Sequence, residues 1–542
     1  MIQRLLAVTI TVSLTISACG TSPSIWGVAS TPTSNVAQAT PQTDPFAGQT
    51  DQIIFPTSTI PPFIETNNAV TPEPSHTENP KTPTAHTQTP APLNDAAPFL
   101  YYAQSGDMLS AVAARFNVNE SEIVSDADLT KTTLIEPGTL LIIPNRINEA
   151  TTPNIQLLPD AEFVNSATAL DFDTQVFVES QNGYLSSFRD YLGSAGWVEG
   201  YQAIDRLSIE NSINPRLLLA LLEYEARWVR GQPIDILHTE YPMGFNDYRY
   251  KGMSVQMTWA INTMSIAYYG WRAGTLTHLE FPEGTQLRLD PRLNASTVAI
   301  QYLFSKLHSE SQWSQIINPD SGFSAIYEEM FGDPWARANL IGPIFPPGLN
   351  QPPLVLPFEP GAKWSFTGGP HNGWGQINPN IYGQSHSIFS AIDFAPAAAK
   401  TGCVPNDAWV VASAPGLVVR SGNGIVMIDL DGDGYEQTGW NLLYLHLATK
   451  DRVAAGTYLE TNDRIGHASC EGGVSTGTHL HFARKFNGEW VTADGPIPFV
   501  MSGWRVVAGE EPYKGQLVNG DQVVTSDLLG QAWSNIIREK DE

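Results

Sequence analysis

Cysteine is scarce: only Cys19, Cys403 and Cys470 occur among 542 residues. So few exclude a small disulfide-dense framework. Cations are scarce too, with Lys+Arg 29 against Asp+Glu 55 and a formal net charge of −26. A chain this acidic is not expected to bind nucleic acid. Long apolar runs are missing beyond the first twenty residues, so no later stretch is expected to span a bilayer. The length is too great for one core and implies three or more units.

What is present begins with a short leader. Arg4 supplies a positive start, and Leu5 to Ile16 an apolar run too short for a comfortable membrane helix. Ile16-Ser17-Ala18-Cys19 resembles the bacterial lipobox, which implies cleavage after residues 1–18 and a lipid on Cys19. Residues 20–97 are rich in Thr, Pro, Ser, Asn and Gln and cannot bury a core, so they read as a disordered tether. Cys403 and Cys470 form an even pair in an exported chain, which suggests a disulfide.

Residues 98–146 change character. Leu109, Val112, Ala113 and Phe116 recur at helical spacing, and a Pro137-Gly138 turn precedes the short strand pattern of Leu140 to Ile143. Gly106-Asp107-Met108-Leu109-Ser110, Ala113-Ala114-Arg115-Phe116 and the closing Ile142-Ile143-Pro144 resemble a LysM module. The resemblance implies a small α+β fold in βααβ order that binds N-acetylglucosamine-containing glycan.

Residues 147–350 read as mainly α-helical. Pro215 suits a first helical turn, and Val255 to Tyr269 and Thr297 to Leu307 carry helical patterns. Asn214 to Trp228 is faintly similar to the catalytic helix of lysozyme-like lytic transglycosylases, which would make Glu225 a glycosidase acid. Ala226 stands where that family has Ser. Without the activity, Glu223 and Glu225 are solvated helix charge.

After the Pro-rich stretch around Ile344 to Pro353, residues 351–507 show short strands with turn signals, as in a compact antiparallel sheet. His479 and His481 lie two apart, so on a strand they share a face. His371 sits in a Gly-Gly-Pro loop, Asp393 in an apolar strand and His446 at the end of another. A lone buried Asp is costly unless paired or ligating. Two His and one Asp, with one position left open, make a catalytic zinc set.

These motifs, with Cys470-Glu-Gly-Gly-Val-Ser-Thr-Gly-Thr-His479-Leu-His481-Phe482, resemble zinc metallopeptidases of the LytM/lysostaphin superfamily, in their LasA, or β-lytic, branch. The resemblance implies one zinc ion on His371, Asp393 and His481, with His479 and His446 as catalytic histidines. His479 would move the proton and His446 would donate to the oxyanion. Most of the superfamily carries its first ligand four residues before the Asp, where this chain has Phe389. His386 rivals His371, whose Gly-Gly-Pro setting matches the branch. Asp429-Leu-Asp431-Gly-Asp433-Gly434 resembles half a calcium loop, but Trp440 occupies its twelfth position. It reads as a hairpin turn, and calcium is not expected. Residues 508–542 read as an uninformative tail.

The expected molecule is an extracytoplasmic, lipid-anchored hydrolase facing the cell wall, with peptidoglycan as its partner. A non-catalytic wall-binding regulator is the alternative from another class, and a second glycosidase head at Glu225 a third.

Overall fold

A computed structural model describes residues 97–129, 134–192, 196–374, 389–397 and 402–540. Cys19, most of the tether and His386 lie outside them. Among the described residues no helix is long and apolar enough to cross a membrane.

The first unit pairs Phe99–Tyr102 antiparallel with Leu140–Ile143, and packs the helix Leu109–Phe116 on that ribbon. Val112, Phe116, Leu141 and Ile143 are its buried centre. The second helix of the expected βααβ order is a single 3₁₀ turn, Glu120–Glu122. The chain cannot coil further there, because Val124 already bridges Ile142 in extended form.

The middle region is helical, as its periodicity requires. Pro215–Ala226 starts with Asn214 as N-cap and Pro215 in the first turn. The long helix Met253–Arg272 and the helix Ala295–Leu307 complete its centre.

The last unit is built on a nine-stranded antiparallel sheet. In its middle, Ile425–Asp429, Trp440–Leu445, Leu480–Phe486, Phe389–Pro396 and Lys363–Asn372 lie side by side in that order. Alternation sends Ile392, Tyr444 and Phe482 to one face, into the unit's own core. The opposite face presents Ala391, Met427, Leu443 and Ala483, which share one apolar cluster with the helical region.

The hairpin Asn487–Trp490 fastens that contact. Ser212 Oγ donates to the Gly488 carbonyl at 2.6 Å, Tyr268 Oη to Glu489 at 2.7 Å, and Asn487 Nδ2 to the Ile344 carbonyl at 2.7 Å. Gly488 has φ +80°, and a Cβ there would collide with the Asn165 carbonyl. Buried Arg272 pairs with both Glu489 (3.1 Å) and Asp160 (3.0 Å), and also donates to the Ser105 carbonyl of the first unit.

The expected tail is folded. Gly515–Asn519 and Gln522–Thr525 join a four-stranded sheet, and Asn535–Ile537 pairs with Lys363–Asn372 as an edge strand. Its apolar positions, Leu517, Val524 and Ile536, are spaced too widely to stand out in the sequence, yet all are buried. Arg538 is buried as well, donating to the Leu356 and Phe358 carbonyls.

Candidate metal centre

The pairing register brings two expected ligands together directly: His481 lies opposite Asp393 on the neighbouring strand. His371 does not arrive by regular pairing. Its strand is irregular between Phe366 and Gly368, Gly368 and His371, and His371 and Asn372, and such bulges re-aim a side chain. Glycine permits this. A Cβ on Gly368 would lie 2.6 Å from Asp393 Oδ2, and one on Gly369 would strike the backbone at Lys514.

Three buried atoms converge. His371 Nε2 lies 3.0 Å from His481 Nδ1 and 3.2 Å from Asp393 Oδ1, and His481 Nδ1 lies 3.3 Å from the same oxygen. The other ring nitrogens fix the tautomers. His371 Nδ1 donates to the Gly369 carbonyl at 2.8 Å, and His481 Nε2 to the Gly373 carbonyl at 3.0 Å. A carbonyl can only accept, so both protons are on those nitrogens and the converging nitrogens present lone pairs. Asp393 Oδ1 is buried with no hydrogen-bond partner. Three acceptors facing one another with no donor repel unless a cation lies between them. Ligands about 2.0 Å from a tetrahedral zinc stand ~3.3 Å apart, close to the spacings here.

Two further histidines border the centre. His479 Nδ1 donates to the Gly477 carbonyl at 2.8 Å, which leaves Nε2 free, 3.7 Å from Asp393 Oδ1. His446 has φ +66° at the end of its strand and donates from Nδ1 to the Glu471 carbonyl at 2.8 Å. Its ring centroid is 4.5 Å from that of His479. Burial, then the two neighbouring histidines, push His446 down to about 3, so it is neutral at physiological pH. A neutral ring that donates from Nδ1 has only an acceptor at Nε2. The donor role expected of His446 is therefore closed until that ring takes up a proton.

Cys403 and Cys470 are disulfide-bonded, with Cα atoms 5.7 Å apart, and tie the segment before His479 to residues 402–404. Sequence reasoning missed Tyr513, whose ring stacks on His371 at 4.1 Å between centroids. A tyrosine in a stretch without a motif gives no signal. Glu225 is not brought to this centre. It is buried in the helical region with Oε1 2.9 Å from His308 Nε2, while Glu223 pairs with Arg230. Neither is the solvated helix charge expected.

The model of peptidase family M23 matches residues 394–493, which hold His446, His479 and His481 and begin one residue after Asp393. The LasA N-terminal domain model matches residues 156–344, and the LysM domain model residues 101–144. Protease LasA of Pseudomonas aeruginosa (strain UCBPP-PA14) is 25% identical over 358 residues, covering 63% of this chain and 77% of LasA. The chain carries a LasA N-terminal domain followed by an M23 peptidase domain, and its relatives are LasA and beta-lytic proteases. The beta-lytic metalloendopeptidase of Achromobacter lyticus is 30% identical over 171 residues, 31% of this chain and 41% of that protein. Among solved structures, the M23 metalloprotease pseudoalterin is 21% identical with a TM-score of 0.26, covering 32% of this chain and 96% of its own. As an M23 enzyme the chain is a metalloendopeptidase that also carries a LysM domain.

Proposed function

We propose that this chain is a lipid-anchored cell-wall endopeptidase that cuts peptide bonds of peptidoglycan, with one zinc ion on His371, Asp393 and His481. The convergence of three buried acceptors on one point carries the reading. Zinc held there supplies Lewis acidity and makes water acidic enough to act as a nucleophile at neutral pH.

The protein's own groups then divide the proton work. His479 Nε2 is an acceptor near the centre and takes the proton of the attacking water as the new C–O bond forms. Once protonated, that ring becomes a donor to the amine that departs as the C–N bond breaks. His446, neutral at rest with an acceptor at Nε2, is a second ring that can take the water's proton in place of His479, and only then would it donate to the tetrahedral oxyanion. The Gly477 and Glu471 carbonyls hold both rings in the required tautomer. The LysM domain supports docking on N-acetylglucosamine-containing glycan, and the lipobox supports a lipid on Cys19 with the enzyme outside the cytoplasm, facing the wall.

Digestion of purified peptidoglycan by the lipid-free chain tests this. New amines that vanish with a zinc chelator and return with zinc are expected. Chelator-resistant reducing ends would place the activity at Glu225 instead. Neither product, with glycan still bound, would favour a binding regulator. Mass spectrometry of the membrane-extracted protein should find diacylglycerol on Cys19, and an unmodified Cys19 would remove the anchor.

A further inference from the structure

The hairpin between Ile425–Asp429 and Trp440–Leu445 carries a second cluster of metal-type ligands. One carboxylate oxygen from each of Asp429, Asp431 and Asp433 lies within 4.8 Å of the others. Asp429 is buried, whereas Asp431 and Asp433 are exposed. Among the described residues none of the three is in an ion pair. Two cations at this loop are engaged elsewhere: Arg420 lies 2.9 Å and Lys485 3.5 Å from Glu436.

Acidic clusters on hairpins are common, and this one would mean little without Asn441. That residue is fully buried and stands directly across the strand pair from Asp429, so the two side chains share a face. Its Nδ2 donates to the Thr438 carbonyl at 2.7 Å, and Thr438 Oγ1 donates to Asp433 Oδ2 at 2.7 Å. The carboxamide is thereby held against the acidic loop. Its Oδ1 is buried and has no hydrogen-bond partner. An orphaned buried oxygen carries a desolvation penalty unless something else satisfies it. Its cross-strand neighbour Asp429 is the buried member of the acidic cluster and is in no ion pair among the described residues.

The rest of the loop is shaped for the same occupant. Asp429, Asp431 and Asp433 take the first, third and fifth places of a calcium loop. Gly434, at φ +94°, takes the sixth, where such loops turn sharply. Asp431 folds over Gly439, where a Cβ would collide with its carboxylate, so the two ends of the loop close on each other. The twelfth place is Trp440, which cannot ligate. The following residue, Asn441, offers the missing oxygen from the opposite strand.

We infer that this hairpin is a calcium site separate from the zinc centre, with Asp429, Asp431, Asp433 and Asn441 Oδ1 as its side-chain ligands. All-oxygen ligation on an irregular loop suits calcium better than magnesium, which demands a near-ideal octahedron. Three carboxylates and a neutral amide, without the usual bidentate Glu, place the site among weak extracellular ones, with Kd about 10⁻⁴–10⁻³ M.

The test uses the full zinc-loaded chain and terbium as the probe, since Trp440 lies next to the ligands and can sensitise its emission. Saturable luminescence near one ion per chain is expected, displaced by calcium and at least tenfold less effectively by magnesium. Asp431→Ala, an exposed position that should fold normally, should abolish it. Asn441→Ala should weaken it about tenfold or more. Where that variant folds poorly, the calcium-induced rise in Tm, present in the parent and absent in Asp433→Asn, reports on the same site. No saturable emission, or emission unchanged in Asp431→Ala, would overturn the inference.

Discussion

Each nitrogen that faces the metal position does so because its sister nitrogen is held by a carbonyl. The same device serves the proposed ligands and the proposed catalytic histidines, so single changes should separate the two groups. His371→Ala is expected to lower zinc from about one per chain to near zero and abolish cleavage. His479→Ala should keep its zinc and lose about 10²–10⁴-fold in rate, as general bases do. Metal analysis and amine release on the same samples check both, and retention of zinc by His371→Ala would pass the ligand role to another residue. Tyr513 braces His371 by stacking, and outer partners of a ligand typically carry 10–100-fold in metal affinity. Tyr513→Ala is expected to weaken zinc by about that factor with the fold intact, read by chelator competition. Asp429 makes a pH prediction. Without a bound cation, burial and Asp431 push its carboxyl up to about 7 from the ordinary 3.8, so the folded chain holds the extra proton between them. This residue's contribution to stability therefore falls as pH rises through that window. Chemical denaturation at pH 5 and 8 should show that fall in the parent and lose it in Asp429→Asn.

At the scale of elements, most of the architecture was legible. Leu217 to Leu222 behind Asn214-Pro215 signals a capped helix, and His-x-His on an apolar strand signals two rings on one face. The bulges that carry His371 to the centre were not legible, because a bulge depends on what the partner strand does. The buried strands after Tyr513 were hidden for a similar reason: each is short and borrows its apolar face from the rest of the sheet. Asp429 to Gly434 was legible as a turn, whereas Asn441 belongs to its polar end only through strand register. The hairpin that fastens the helical contact likewise turns on one unremarkable Asn-Gly pair. Gly488→Ala meets both a positive φ and the Asn165 carbonyl. It is expected to destabilise the protein by about 1–3 kcal/mol, the usual cost of overpacking. Unchanged denaturant midpoints would show that the hairpin is not held there.

For the whole molecule, one apolar cluster runs from the helices into the sheet face that carries the metal centre, so the helical region shares its core with the peptidase unit, which keeps a second core on its other face. They are expected to unfold in a single calorimetric transition despite the chain's length, and two resolved transitions would contradict this. Glu489→Gln should lower that transition by about 2–4 kcal/mol, because it removes a charge from a buried network with Arg272 and Asp160.

The position of Tyr513 and the edge strand Asn535–Ile537 along the chain has a consequence for time. A ribosome delivers His371, Asp393, His446 and His481 first, and the residues that brace the His371 strand only afterwards. A half-made chain holds every reactive group of a peptide-cutting enzyme without the frame that sets them in place. A chain that stops before Tyr513 is therefore expected to hold the metal more weakly than the full chain.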